Sequence, residues 1–466
     1  MTVPAMSLSP TESAERSGAV TSRGRSTALL TDRYELTMIQ AALADGTAGR
    51  HCVFEVFTRR IPAGRRYGVL AGTGRVLEAI GDFRFGDEEL SYLSRHKIVD
   101  RTTLEYLATY RFQGSINGYA EGECFFPSSP VLVVEGTFAD AVILETIILS
   151  ILNYDSAVAS AASRMTSAAV LRPCLEMGSR RAHEEAAVAA SRAAVVAGFT
   201  ATSNLEAGRR YGLTTIGTAA HSYTLLHDDE RTAFAAQVAA QGVGTTLLVD
   251  TYDVVQGVRN AVEVAGTGLG AVRLDSGDLT ALAHEVRAQL DSLGATGTRI
   301  VVSSDLDEHA IAALAVAPVD AYGVGTSVVT GSGEPTCGMV YKLVAREGGD
   351  GVLTPVAKAS NKKSSVGGRK TAARRLGDDG RAVEEVVVSG PDQEVATWVP
   401  TAGGDLRPLH VPLAVHGAID TRWTGTSGVA RAAERHEASR AELPRGARRL
   451  SAGEPAVPTV RLVLEP

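Results

Sequence analysis

Short apolar runs recur at a regular interval through the middle of the chain. The stretches 174–177, 199–202, 213–217, 246–249, 271–274, 300–302 and 319–324 each read as a short buried strand, and the segments between them have helical composition. Their starts lie roughly 15 to 30 residues apart, the rhythm of successive β/α units in a parallel sheet. About seven such units favour a barrel; an open doubly wound sheet is the alternative.

The pattern on either side is different. Order is expected from Thr27, with a helix start at Thr31-Asp32, an amphipathic run through Leu36, Ile39, Ala42 and Leu43, and a stop at Gly46. Residues 51–58 read as a strand with Val53, Glu55 and Phe57 on one side and Phe54 and Val56 on the other, so both faces should be covered. Helices are expected over 70–80 and 88–110, strands over 114–121 and 131–136, and helix again from 139 to about 171. Past Val340 the chain turns strand-rich, with 339–344 and 353–358 as a pair, then a basic, glycine-containing segment at 362–370, and helical composition over 431–440. The expected organisation is a tail (1–26), an amino-terminal α/β domain (27–171), the barrel with its site (172–338), a carboxy-terminal segment packing back on the first domain (339–445), and a Pro-, Gly- and Arg-rich tail (446–466).

If the central runs are parallel strands, their carboxy-terminal ends share one face, where the sites of such folds lie. Those ends carry Arg180-Arg181, Ser203-Asn204, Thr218 and His221, Asp250-Thr251-Tyr252-Asp253, Asp275-Ser276-Asp278, Ser303-Ser304-Asp305 and Gly323-Val324-Gly325-Thr326. Each alone is ordinary turn and cap chemistry. Together, two arginines, a histidine, several aspartates and a glycine nest make a coherent anion site. Gly323, Gly325 and Thr326 resemble a phosphate cradle, in which backbone N–H groups converge on an anion, although a tight strand-to-helix turn reads the same way. Alternation places Arg273 and Asp275 on one side of their strand, as substrate groups or as a structural ion pair. His221 follows the small residues Gly217, Ala219 and Ala220, which leave room for a ligand at the backbone; a hydrogen-bonded histidine at a strand end is the bland alternative.

Composition removes several functions. The net charge of −7, with Lys and Arg scattered, argues against nucleic acid as a partner. Four well-separated cysteines (Cys52, Cys124, Cys174, Cys337) suit free thiols in a reducing, cytoplasmic setting and give no zinc-ligand spacing. No membrane association is expected, because the best apolar run, 139–152, is interrupted by Asp140 and Glu145. The first ~26 residues lack the apolar core of a secretory signal, which leaves a disordered tail or a basic targeting peptide. No Walker A sequence and no strand-coupled dinucleotide fingerprint is present.

Four stretches resemble the nicotinate phosphoribosyltransferase family: Leu30-Thr31-Asp32-Arg33-Tyr34-Glu35-Leu36-Thr37-Met38, Gly217-Thr218-Ala219-Ala220-His221-Ser222, Val272-Arg273-Leu274-Asp275-Ser276-Gly277-Asp278 and Gly323-Val324-Gly325-Thr326. Gly178-Ser179-Arg180-Arg181 and Pro355-Val356-Ala357-Lys358-Ala359-Ser360 also fit, over about residues 27 to 375. Gly367 departs from the pattern, where the family more often has Pro before Gly. The resemblance implies an α/β fold with an irregular parallel β/α barrel of about seven strands, of the type II phosphoribosyltransferase kind, and a second α/β domain built from both chain ends. It implies an enzyme that joins nicotinate to phosphoribosyl pyrophosphate, with Mg²⁺, and with ATP hydrolysis coupled through phosphohistidine at His221. It places Tyr34 on the pyridine ring with Thr218 and Arg273 near nicotinate, and gives Arg180 or Arg181 to anionic groups. Asp275 falls by the ribose or Mg²⁺, and Ser303, Gly323, Gly325 and Thr326 fall by phosphate. It further implies a homodimer with shared sites, to which Tyr34, Arg59 and Lys358 contribute across the interface. The rivals are a nicotinamide-using enzyme, whose amide is better met by an acceptor such as Asp, and a catalytically dead barrel that binds a phosphorylated metabolite. The dead barrel should have lost His221 or Asp275, and both are present.

Overall fold

The structure is a computed structural model that describes residues 26–62, 64–358, 366–398 and 404–465. The expected amino-terminal tail, apart from Ser26, and Ala359-Ser360 and 361–365 of the basic region lie outside the described residues.

Six parallel strands form the central sheet. Their lateral order is Ala201–Thr202, Cys174–Glu176, Ala321–Val324, Arg299–Ser304, Ala271–Leu274 and Thr246–Leu248, so the first strand of the series pairs with the last, as curling into a barrel requires. The expected strand at 213–217 shrinks to one parallel bridge, Thr202 to Thr215, and the barrel stays open between it and Thr246–Leu248. The physical reason is burial: Thr214, Thr215 and Gly217 are exposed, so no apolar face holds the run in a ladder. Along Ala271–Leu274, Val272 and Leu274 are fully buried in the core shared with Ala283, Val286, Ile300 and Val302. Alternation therefore turns Arg273 the other way, into the barrel.

Both ends of the chain build the second body. Its antiparallel sheet runs Leu353–Pro355, Met339–Glu347, His51–Thr58, Leu132–Thr137, Ser115–Tyr119, His410–Val415 and Ala418–Ile419. His51–Thr58 is covered on both faces, as its sequence requires: Phe54 and Val56 enter one apolar cluster, Val53 joins Val133 and Val344 in another, and Glu55 accepts a 2.7 Å hydrogen bond from buried Lys370. The stretch expected to be a carboxy-terminal tail contains a strand, Thr459–Val463, which pairs in parallel with Ala382–Ser389 and is anchored by fully buried Val457. Its Pro- and Gly-rich flanks hid it.

Two helices, Phe138–Val142 and Glu145–Ala169, run between the bodies. By length and composition Phe138–Ala169 is sufficient to cross a membrane, more than its interrupted apolar run suggested, yet 67% of that window is buried within the protein. It is packed as a core helix.

Candidate active site

The strand ends of the barrel surround an open cleft lined by Met177, Arg180, Arg181, Arg273, Asp275, Ser303, Ser304, Asp305, Gly323, Gly325 and Thr326. Eight residues singled out from sequence thus meet in one place: Arg180, Arg181, Arg273, Asp275, Ser303, Gly323, Gly325 and Thr326. The cradle is tight by construction. A Cβ on Gly323 would lie 2.8 Å from Met177 Sδ and 3.0 Å from Ser303 Cβ, so only glycine fits that strand end.

Arg273 and Asp275 point into the same space. Arg273 donates from Nη2 to Asp275 Oδ1 at 2.9 Å and from Nε to Ser303 Oγ at 2.7 Å, while the Ser303 hydroxyl donates to Asp275. Burial pushes the Asp275 carboxyl up, but hydrogen bonds from Ser303 and Arg273, then the Arg273 charge, outweigh it and hold the group below the usual carboxylate range. Arg180 and Arg181 differ: both are exposed, and among the described residues neither makes a side-chain hydrogen bond or ion pair. Two guanidinium groups without protein partners face the cradle.

His221 opens the short helix His221–Leu225 at the edge of this cleft, in the gap where the barrel fails to close. Its Nε2 stands 4.0 Å from Asp275 Oδ2 and 4.0 Å from Asp250 Oδ1, and its Nδ1 lies 3.1 Å from the Thr251 hydroxyl. Asp250 was only one strand-end aspartate among several in the sequence. Here its side chain is 2% exposed, Oδ2 accepts from the Asp275 N–H and the Ser276 hydroxyl at 2.8 Å each, and buried Oδ1 is left without a hydrogen-bond partner beside His221. Thr251, Ser304 and Asp305 were named at their strand ends but given no role, and Met177 was read only as part of its strand.

The remaining sequence-based candidates do not line the cleft. Thr218 is half-buried in the stretch before His221. Tyr34 is exposed in the helix Arg33–Asp45, beside Glu145; burial first, then the Glu145 charge, pushes its hydroxyl up to about 12. Arg59 lies over the Phe57 ring at 5.7 Å, and Lys358 is exposed past the strand Leu353–Pro355. No group of three or more His, Cys, Asp or Glu with metal-binding geometry occurs among the described residues. The paired carboxylates Asp250 and Asp275 are nonetheless the hard oxygen donors that Mg²⁺ accepts when substrate phosphates and water complete its shell.

A curled parallel sheet with its polar residues gathered at the strand ends is the architecture of β/α-barrel enzymes that hold phosphorylated substrates. Comparison with known proteins narrows the class. Residues 29–153 match the model of the nicotinate phosphoribosyltransferase amino-terminal domain. The chain is 54% identical over 439 residues to nicotinate phosphoribosyltransferase pncB1 of Mycobacterium tuberculosis, covering 92% of this chain and 94% of that one. It is 37% identical over 381 residues to nicotinate phosphoribosyltransferase of Bacillus subtilis, covering 79% and 77%. The crystal structure of human nicotinic acid phosphoribosyltransferase superposes with a TM-score of 0.78 at 27% identity, over 92% of this chain and 97% of that one. The chain belongs to the nicotinate phosphoribosyltransferase family.

Proposed function

We propose that this enzyme joins nicotinate to phosphoribosyl pyrophosphate, forming nicotinate mononucleotide and pyrophosphate, with ATP hydrolysis coupled through phosphorylation of His221. The observation that carries the reading is the placement of His221 between two carboxylates at the rim of a cleft that also holds two unpaired arginines and a glycine cradle.

In the transfer step the pyridine nitrogen forms a bond to ribose C1 as the C1–oxygen bond to pyrophosphate breaks. The electron pair leaves with pyrophosphate while positive charge develops on the sugar. Arg180 and Arg181 are placed to neutralise the departing anion, and the N–H groups around Gly323 and Gly325 to hold the 5′-phosphate. Mg²⁺, held by Asp275 and Asp250, would supply further charge to the pyrophosphate. In the coupling step an imidazole nitrogen attacks the γ-phosphorus of ATP and ADP leaves. The carboxylates beside Nε2 favour the proton there, which puts the nucleophilic lone pair on Nδ1, beside the Thr251 hydroxyl. Phosphorylation then adds negative charge at the rim and alters affinity for the charged substrates.

Tyr34, Arg59 and Lys358 fit a homodimer in which these residues complete the partner's cleft. Four buried, unbridged cysteines fit a reducing, cytoplasmic compartment. The test is product formation by purified protein given phosphoribosyl pyrophosphate and either nicotinate or nicotinamide, with and without ATP. Equal kcat/KM for the two bases would move the function to the nicotinamide-using alternative.

A further inference from the structure

Glu176 ends the strand Cys174–Glu176 and is fully buried. Its carboxylate is held by three neutral donors: Oε1 accepts from the Gly178 N–H at 2.5 Å, and Oε2 accepts from the hydroxyls of Ser191 at 2.8 Å and Thr202 at 2.5 Å. Ser191 lies on the helix Glu184–Val196, Thr202 on the adjacent strand, and Gly178 leads into the turn Ser179–Arg181. One carboxylate therefore ties two strands, a helix and the arginine turn together.

The same turn is sewn to the cradle by backbone contacts. The Met177 N–H donates to Val324 O at 2.8 Å. A Cβ on Gly178 would lie 2.2 Å from Val329 Cγ1 and 2.8 Å from Gly325 O, so the turn rests directly on the cradle. From outside, Asn204 Nδ2 donates to Ser179 Oγ at 3.0 Å, and the Asn204 N–H donates to Thr202 Oγ1. Burying a carboxylate on neutral donors is costly, and an apolar side chain there would strand one N–H and two hydroxyls.

We propose that Glu176 is a positioning residue for anion binding: it fixes the turn carrying Arg180 and Arg181 against the Gly323–Gly325 strand end, so that both arginines and the cradle grip one phosphorylated ligand as a rigid unit. The proposal rests on the reading of this cleft as the phosphoribosyl pyrophosphate site. Without the carboxylate the turn drifts off the cradle and its grip on the already charged pyrophosphate weakens, so KM rises far more than kcat falls.

The experiment compares Glu176→Leu, Glu176→Gln and Thr202→Val with the unmutated enzyme, alongside Arg180→Ala and Arg181→Ala. Glu176→Leu is expected to raise KM for phosphoribosyl pyrophosphate at least about tenfold, with kcat and the KM for nicotinate changed less than about threefold. Gln rescues, because its carbonyl oxygen still accepts from Gly178 N–H while the two hydroxyls rotate to accept from its amide. Thr202→Val, which keeps Glu176 but removes one of its donors, gives an intermediate KM and guards against a misfolded Leu variant. An unchanged KM in both Glu176→Leu and Thr202→Val, with KM raised in the arginine variants, overturns the role of Glu176. Failure of the arginine variants to raise that KM overturns the reading of the cleft instead.

Discussion

The neighbours of His221 suit a nucleophile: two carboxylates stand 4.0 Å from Nε2 and a hydroxyl 3.1 Å from Nδ1. His221→Ala is expected to abolish acid-labile labelling from γ-labelled ATP while uncoupled transfer persists weakly; undiminished labelling would assign the phosphate elsewhere. Asp250→Asn should slow labelling roughly a hundredfold, since the amide lacks the negative charge that favours the proton on Nε2. On the proposed reading, base choice rests on the arginines. A charged hydrogen bond from a guanidinium to the nicotinate carboxylate is worth roughly 1.5–3 kcal/mol, and each 1.4 kcal/mol is about tenfold in discrimination. Arg273 is already engaged with Asp275 and Ser303, whereas Arg180 has no protein partner among the described residues, so comparing nicotinate KM in Arg273→Ala and Arg180→Ala shows which guanidinium meets the carboxylate. The Arg273–Asp275 pairing was readable because alternation along a strand fixes direction. The orientation of Asp250 was not, because Asp-Thr-Tyr-Asp after a strand also reads as turn and cap chemistry, and only tertiary packing leaves Oδ1 facing a histidine. Glu176 was invisible for the same reason: its partners come from residues 191 and 202.

At the scale of elements, regular repetition made the barrel legible, and weak burial made its seventh strand misleading. The stretch 213–217 has the β-branched composition of a strand, yet it lies at the open seam with solvent on its threonines, and a single bridge survives. The strand Thr459–Val463 failed in the opposite direction. It is short, flanked by prolines, and made stable by a partner strand about seventy residues earlier. In the same sheet, buried Arg374 of the Thr371–Leu376 strand donates to Glu123 at 2.7 Å and to Glu385 and Glu442 at 3.0 Å each, joining that strand to segments far apart in the chain. Removing the only fully buried cation from among those carboxylates leaves negative charges without compensation. Arg374→Met should therefore destabilise the protein by roughly 3–5 kcal/mol, read as a lowered denaturation midpoint in urea. A loss within experimental error would mean that Arg407 and Arg435, which also reach Glu123, suffice alone.

At the scale of the whole molecule, two expectations follow from how the bodies are joined. His436, 2% exposed in the helix Gly425–Glu442, is pressed down from 6.5 to about 3, chiefly by burial and then by the Arg440 charge, against a hydrogen bond to Gly122 O. The folded state keeps this imidazole neutral while the unfolded chain takes up a proton below about pH 6.5, so its contribution is complete above that pH and falls on acidification toward the folded value. The loss between pH 7 and pH 5 is roughly 2 kcal/mol for this one group, and His436→Asn should flatten that part of the stability profile. The second expectation concerns Tyr34, which lies on the body built from both chain ends, outside the cleft lined by the barrel. If it serves the pyridine ring of a partner subunit's cleft, then Tyr34→Ala and His221→Ala each inactivate coupled synthesis through different subunits. A dimer with one chain of each kind would contain one cleft with both residues and one with neither. Random pairing in an equal mixture makes half the dimers mixed, so refolding the two variants together should restore about a quarter of the unmutated activity, from parents that are each nearly inactive. Self-contained clefts would give only the average of the parents, and that result would overturn the assignment of Tyr34 to the partner subunit's cleft.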